Sequence, residues 1–248
     1  PRSGEWMRTM RVLIGLLEVG AAVKFASNAD MVSHWGILTR DVVLVLWAVL
    51  AIAGAAYLAR GAITARRGPR SLVAGVVPAL LSLVLAGWLG SGINGRQLTQ
   101  IEAFLPPVVE ASVVAGPASS GSGTRWVIND HSAALATARE SGQLVFLDFT
   151  GYTCTNCRWM EANVFTDPAV ESELRQFVLS RLYTDGEGEI YERQQAFQEE
   201  AFGTVALPLY AVVEPTGKVR GTLSGLTRDP AVFAAFLQSA RAAKVASR

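Results

Sequence analysis

The two cysteines of this chain, Cys154 and Cys157, lie three positions apart and are the only cysteines among its 248 residues. An apolar run precedes them at residues 144–149, and a helix-like stretch follows at residues 158–164. The start of a helix offers unpaired N–H groups and the positive end of the helix dipole, and both stabilise a thiolate. Because the thiolate is the nucleophile in disulfide exchange, a Cys-x-x-Cys pair between a strand and a helix predicts a redox-active dithiol.

Other roles for this cysteine pair stay open. A zinc site needs four ligands, and the only histidines, His34 and His131, are not spaced as a second pair of ligands. An inert structural disulfide would close a very short loop and would contribute little chain entropy. Two thiolates also suit copper(I), as in a membrane-tethered metallochaperone. A redox pair can act as a reductase, an oxidase or an isomerase, because the direction of electron flow depends on its reduction potential.

The elements around the cysteines alternate between strands and helices. Predicted strands cover residues 126–128, 144–149, 177–183, 209–213 and 218–223, and predicted helices cover residues 132–141, 158–164, 167–175, 190–202 and 230–243. Asp148 lies in the second strand, whose continuous apolar run indicates a central position in a sheet. Burial there would disfavour its charged form and make it a candidate proton acceptor for Cys157, although a purely structural role is the alternative. The order of elements indicates a thioredoxin-like α/β fold.

Residues 1–90 have a different character, and they supply much of an apolar content of 50%, against 17% charged residues. Their apolar stretches cover residues 10–27, 41–59 and 71–90. A helix needs roughly 20 apolar residues to cross a bilayer, and Glu18 and Lys24 interrupt only the first stretch. A soluble helix bundle is the alternative, but three such runs with short polar joints favour a membrane domain. We therefore predict three transmembrane α-helices followed by the α/β thioredoxin-like domain.

The arginines predict how these spans are oriented. They concentrate before the first span and between the second and the third, at Arg2, Arg8, Arg11, Arg60, Arg66, Arg67 and Arg70. By the positive-inside rule both segments are cytoplasmic, so the chain after residue 90 lies on the other side of the membrane. Residues 91–123 include a stretch rich in Gly, Ser and Pro and predict a linker, which leaves residues 124–248 as the soluble domain. The net charge of +1 gives no indication of nucleic-acid binding.

Five segments of the soluble domain carry a family resemblance. They are Leu147-Asp148-Phe149, Cys154-Thr155-Asn156-Cys157-Arg158, residues 159–168, Leu207-Pro208-Leu209-Tyr210 and Pro215-Thr216-Gly217. Together with residues 15–18 and Lys24-Phe25 in the first span, they resemble the C-terminal part of the DsbD-type transmembrane disulfide reductases. The resemblance extends over essentially the whole chain. It implies a protein-disulfide reductase that uses its own dithiol, with no cofactor and no metal.

The resemblance also implies a route for electrons and a set of partners. Electrons pass from cytoplasmic thioredoxin, through a cysteine pair in an upstream membrane segment, to Cys154 and Cys157. From there they reach periplasmic thiol–disulfide proteins, in cytochrome c maturation or disulfide isomerisation. Cys154 attacks and Cys157 resolves the mixed disulfide, while Pro208 corresponds to a cis-proline beside the site; its alternative is a trans-proline that opens an edge strand. The implied location is the bacterial inner membrane, with several spans and the C-terminal domain in the periplasm.

The sequence departs from the family pattern at two points. Thr153 stands where a tryptophan commonly precedes the first cysteine, so Tyr152 is the candidate for aromatic shielding. The predicted spans contain no cysteine, whereas the family's membrane domain carries a redox pair. Because Pro1 is followed by no basic segment with a cleavage site, we expect no signal peptide and a chain that begins inside a longer protein.

Overall fold

The computed structural model describes residues 3–64, 69–93, 95–106 and 126–242. Most of the predicted linker, residues 107–123, and the arginine-rich segment 65–68 lie outside the described residues. By its internal contacts the chain divides into two compact units. One comprises Pro1–Leu98 with Leu105–Val108, and the other comprises Thr99–Phe104 with Val109–Arg248.

Three helices form the first unit: α1 (Ser3–Val32), α2 (Arg40–Thr64) and α3 (Pro69–Gly90). Two of them, at Trp6–Val32 and Arg40–Thr64, are long and apolar enough to cross a membrane. Little of either is buried within the protein, 6% and 28% of the most apolar windows, which is unlike the core helices of a soluble bundle. The apolar helix at Gly75–Gly90 is shorter. Among the described residues the structure thus supports two candidate spans, and the third predicted span is not confirmed.

Buried polar side chains join the helix ends of this unit. Asp30 accepts hydrogen bonds from two backbone N–H groups of the loop before α2, at 2.9 and 3.1 Å. Arg40, at the start of α2, donates to the carbonyl oxygens of Gly92 and Arg96, at 2.6 and 2.7 Å. These contacts pair backbone groups at the helix ends, where the helical hydrogen-bond ladder leaves donors and acceptors unused.

A five-stranded sheet organises the second unit. Its strands are β1 (Trp126–Ile128), β2 (Val145–Thr150), β3 (Val178–Tyr183), β4 (Leu209–Val213) and β5 (Val219–Ser224). Its helices are α4 (His131–Ser141), α5 (Thr155–Asn163), α6 (Pro168–Leu174), α7 (Glu189–Phe202) and α8 (Pro230–Ala242). The strand order is β1-β3-β2-β4-β5, with β1, β3 and β2 parallel and β4 antiparallel to both of its neighbours. The predicted order of strands and helices is confirmed, and β2 is the central strand.

The alternation of side chains along β2 assigns its residues to two faces of the sheet. Phe146 packs in one buried cluster with Met160 of α5 and Phe233 of α8, whereas Leu147 belongs to a second cluster with side chains of α4 and α7. Successive side chains of a strand point to opposite faces, so Asp148 shares the face of Phe146. The candidate proton acceptor therefore lies on the side of the sheet that α5 covers.

A short 3-10 helix, Thr99–Phe104, packs against α5. Ala103 is buried in this segment, while Phe104 remains about half exposed. The sequence placed these residues in the linker before the soluble domain. The structure instead groups them with that domain, because the segment contacts the helix that follows the cysteines.

Candidate active site

Cys154 and Cys157 form a disulfide at the N-terminus of α5, with their Cα atoms 5.3 Å apart. The helix begins at Thr155, earlier than predicted, so Cys154 is its N-cap residue. The N–H of Cys157 donates a hydrogen bond to the Cys154 sulfur at 3.2 Å. Cys154 is half-buried, whereas Cys157 is only 1% exposed. In the reduced pair Cys154 is therefore the sulfur that a partner can reach, and the helix N-terminus stabilises its thiolate.

Asp148 is buried in β2, as predicted, with an exposed fraction of 1%. Its Oδ2 accepts a hydrogen bond from Nε of Arg181 at 2.8 Å, and the two side chains form an ion pair. They meet because Asp148 and Arg181 are register partners in the parallel pair β2–β3. Burial raises the pKa of Asp148 to about 6, although the charge of Arg181 opposes the shift. A carboxyl group with this pKa can take up and release a proton near neutral pH.

A network of charges links Asp148 to the helix that carries the cysteines. Arg181 contacts Glu161 of α5 with its Nη2 at 3.5 Å from Oε1. The same Oε1 lies 2.7 Å from Nη2 of Arg158, which also donates to the Thr150 hydroxyl at 2.9 Å. Alternating positive and negative side chains thus connect β3, β2 and α5. Such an arrangement compensates for the loss of water around charges that are largely buried.

Sequence reasoning missed two members of this network, Arg181 and Glu161. Arg181 is the only charged residue of β3, and the other residues of that strand are buried. A single charge within an otherwise buried strand was the signal that could have identified Arg181. Glu161 lies seven positions after Cys154, which is about two helical turns and places it on the same side of α5. Neither signal identifies a partner, because Arg181 lies 33 positions after Asp148 in the chain.

The peptide bond between Leu207 and Pro208 is cis, as the family resemblance implied. Pro208 is buried immediately before β4. Leu209 pairs with Phe149 in the antiparallel register of β2 and β4, so Pro208 lies beside the end of β2, from which the chain leads to the cysteines. The structure therefore brings all four predicted site residues towards one end of the central strand.

Tyr152 lies in the loop between β2 and Cys154, and its ring packs against two other tyrosines. It stacks on Tyr183 at 4.0 Å between ring centroids, and its hydroxyl lies 3.2 Å from that of Tyr191. Burial, followed by the contact with Tyr191, raises the pKa of Tyr152. The ring of this tyrosine thus contacts side chains of β3 and α7, and these contacts anchor the loop that precedes the disulfide.

Comparison with known proteins finds relatives for much of the chain. Residues 125–215 match a family model described as thioredoxin-like. Thiol:disulfide interchange protein DsbD 1 of Pseudomonas aeruginosa is 30% identical over 187 residues, which cover 73% of this chain and 29% of that protein. The DsbD of Ralstonia nicotianae is 30% identical over 192 residues, 76% of this chain and 30% of the relative. A thioredoxin from Thermus thermophilus aligns in structure with a TM-score of 0.40 and 24% identity, over 48% of this chain and 87% of that one.

This chain carries a DsbD-type thioredoxin-like region. The redox pair lies within the matched residues, and the relatives named DsbD align over about three quarters of the chain. Within this DsbD-type region, Cys154 and Cys157 form a disulfide pair at the start of α5. The chain spans about 30% of the length of these relatives.

Proposed function

We propose that this chain is a membrane-anchored protein-disulfide reductase that passes electrons from its dithiol to periplasmic disulfide proteins. The observation that carries the proposal is the asymmetry of the pair: an accessible Cys154 at a helix N-terminus, and a buried Cys157 above a sheet that holds an ionisable carboxyl group. An accessible nucleophile attacks a partner, and a buried thiol is protected from partners but close enough to attack intramolecularly. The relatives named thiol:disulfide interchange proteins support the same chemistry.

The proposed reaction proceeds in two exchange steps. The Cys154 thiolate attacks one sulfur of the partner disulfide, a mixed disulfide forms, and the partner's other sulfur leaves as a thiolate. Cys157 then loses its proton to Asp148 and attacks the Cys154 sulfur, which releases the second partner sulfur as a thiolate. The partner gains two electrons, and the pair ends as the disulfide seen in the structure. Pro208, beside the loop that leads to Cys154, would shape the surface that the partner meets.

The proposal also names a source of electrons for the pair and the proteins that accept them. Both cysteines of the chain lie in the DsbD-type domain, so recharging the pair requires another dithiol. We propose an upstream membrane segment with redox cysteines, itself reduced by cytoplasmic thioredoxin. The proposed acceptors are periplasmic thiol–disulfide proteins of cytochrome c maturation or disulfide isomerisation.

A copper(I) metallochaperone has less support. Copper capture by a dithiol needs two thiolates that reach the ion, and the burial of Cys157 leaves one accessible sulfur.

A measurement of the reduction potential of the cysteine pair tests the proposed direction of electron flow. The purified chain in detergent is equilibrated with glutathione buffers of graded ratio, and the fraction of oxidised pair is measured by alkylation. A reductase is expected at or below the potential of a glutathione pool, roughly −200 to −260 mV, and the charged protein should reduce insulin. A potential near that of a strong periplasmic oxidant, about −120 mV, would contradict the proposal.

The membrane anchor and its orientation are part of the same proposal. The two candidate spans support it by length and composition, and the apolar α3 continues the pattern. We propose that α3 is a third span and that the arginine-rich segment between α2 and α3 is cytoplasmic. An odd number of spans then carries the DsbD-type domain to the opposite, periplasmic side.

Cysteine labelling in intact bacterial cells tests this orientation. In a Cys154→Ser/Cys157→Ser background, single cysteines are introduced as Thr64→Cys, at the end of α2, and as Lys218→Cys, in the turn before β5; both positions are exposed. We expect an impermeant maleimide to label the Lys218 variant in intact cells and the Thr64 variant only after permeabilisation. Labelling in the opposite sense would exclude a periplasmic domain.

A further inference from the structure

Asp185 makes an unusual set of contacts with the loop that carries Cys154. Its Oδ1 accepts a hydrogen bond from the N–H of Tyr152 at 2.6 Å, and its Oδ2 accepts from the N–H of Thr153 at 2.9 Å. The hydroxyl of Thr153 donates to the same Oδ2 at 2.8 Å. One carboxylate from the segment after β3 thus holds two consecutive backbone amides immediately before the attacking cysteine. Hydrogen bonds to a charged acceptor are stronger than those between neutral groups.

The surrounding residues leave this carboxylate little freedom. A Cβ on Gly151 would lie 2.7 Å from Oδ2 of Asp185, so only glycine lets the carboxylate approach the loop this closely. On its other side, a Cβ on Gly186 would lie 2.7 Å from the ring of Tyr191, whose hydroxyl contacts that of Tyr152. Gly151 and Gly186 therefore leave the space in which the carboxylate of Asp185 and the ring of Tyr191 pack closely against the backbone. The carboxylate holds the backbone of the loop, and the tyrosine contacts the side chain of Tyr152.

We propose that Asp185 is a positioning residue for Cys154: it fixes the loop before the attacking sulfur and places a negative charge against Thr153, the residue next to Cys154 in the chain. The inference rests on the thiol–disulfide chemistry proposed above, but it concerns a residue outside the dithiol and its charge network. Asp148 and Arg181 lie in the sheet that α5 covers, and Glu161 and Arg158 belong to α5 itself. Asp185 instead contacts the loop before the pair, through Tyr152 and Thr153.

The charge of Asp185 has a direct consequence for the redox equilibrium. A nearby negative charge disfavours a second one, so Asp185 destabilises the Cys154 thiolate and with it the reduced form of the pair. A pair whose reduced form is destabilised gives up its electrons more readily. Asp185 therefore favours donation to a partner disulfide, while its hydrogen bonds keep the sulfur in the position from which it attacks.

The test compares Asp185→Asn with Glu187→Gln in the full chain in detergent. Glu187 is exposed two positions further on, so its variant removes the same charge without touching the loop. Two readouts are used: the equilibrium constant with glutathione, and the pH dependence of Cys154 alkylation in the reduced protein. In Asp185→Asn we expect the equilibrium to shift about tenfold towards the dithiol and the alkylation pKa of Cys154 to fall. Values for Asp185→Asn within twofold of those for Glu187→Gln would overturn the proposal.

A second variant keeps the test decisive if Asp185→Asn does not fold. Gly151→Ala forces the carboxylate away from the loop but retains its charge. We expect it to slow the attack of Cys154 on a small disulfide about tenfold. An unchanged rate would show that the contact does not position the sulfur. Both readouts compare variants with the parent chain, so they remain informative even if the parent proves to be an oxidase and the proposed direction of electron flow fails.

Discussion

The Cys154→Ser variant is expected to lose disulfide reduction completely, and the Cys157→Ser variant to accumulate mixed disulfides with its partners. Cys154 is the accessible sulfur at the N-terminus of α5, so its loss removes the nucleophile. Cys157 is buried, and in the proposed mechanism it acts only after a mixed disulfide has formed, so its loss leaves that intermediate without a resolving thiol. Both variants keep a side chain of similar size at the helix start, and folding should be preserved.

Non-reducing gels with mass spectrometry of the trapped species measure this division of roles. The double variant Cys154→Ser/Cys157→Ser is the control, because it can form no mixed disulfide. If Cys154→Ser traps partners and Cys157→Ser does not, the two roles are reversed. Trapping by both variants would mean that Cys157 is accessible during the reaction, contrary to its burial in the oxidised structure.

The Asp148→Asn variant is expected to slow the second exchange step on the order of a hundredfold at pH 7, which is the usual scale for a lost general base. With a pKa of about 6, Asp148 is mostly ionised at pH 7 and can accept the proton of Cys157. At alkaline pH the thiol ionises without help, so the difference should shrink. Single-turnover reduction from pH 6 to 10 measures the effect, with Glu171→Gln as a control on an exposed carboxylate of the same domain. A pH–rate profile unchanged by Asp148→Asn would assign Asp148 a structural role.

Asp148→Asn is expected to raise the stability of the folded domain near neutral pH, although it lowers the rate of the second exchange step. A pKa raised from 3.8 to about 6 means that the folded state binds the proton more tightly than the unfolded state. Ionised Asp148 therefore costs stability as the pH rises from about 4 to above 6, by about 3 kcal/mol at the plateau. In Asp148→Asn this cost disappears, and Arg181 retains Glu161 as a partner.

Hydrogen exchange of β2 and β4 in the full chain can measure that difference. We expect Asp148→Asn to protect these strands more than the parent at pH 7.5, and to lose most of that advantage at pH 4.5. If protection of these strands depended on pH equally in the two proteins, the Asp148 carboxyl group would not be the cause of the pH-dependent stability. A variant that gains stability and loses rate would show that the buried charge is retained for its chemistry.

The charge network explains how a carboxylate can stay ionisable so deep in the sheet. Arg181 opposes the effect of burial and shares Glu161 with Arg158, so positive and negative groups alternate from β3 to α5. Removing Arg181 would leave Asp148 as an uncompensated buried charge, which is far more costly than removing both partners. The charges of Arg181 and Arg158 both lower the pKa of Asp148 and so limit the rise that burial causes.

Local patterns in the sequence determined the order of strands and helices, the thioredoxin-like fold and the position of the redox pair. Strand periodicity, apolar runs and the turn at Pro215-Thr216-Gly217 depend on neighbours a few residues apart, so they are readable without a structure. The burial of Asp148 followed in the same way from a continuous apolar strand. The apolar helices of the first unit were found as apolar stretches, but their ends were not, because α1 continues at both ends into residues that are less apolar.

Only the tertiary structure decided which side chains surround the dithiol. Arg181 reaches Asp148, and Asp185 reaches Tyr152, across 33 positions of chain in each case. Both contacts depend on the parallel register of β2 and β3, which brings the end of one strand beside the end of the other. The packing of Thr99–Phe104 on α5 likewise joins segments that no local pattern connects. Periodicity reports which residues are buried, whereas strand register and helix packing decide which of them meet.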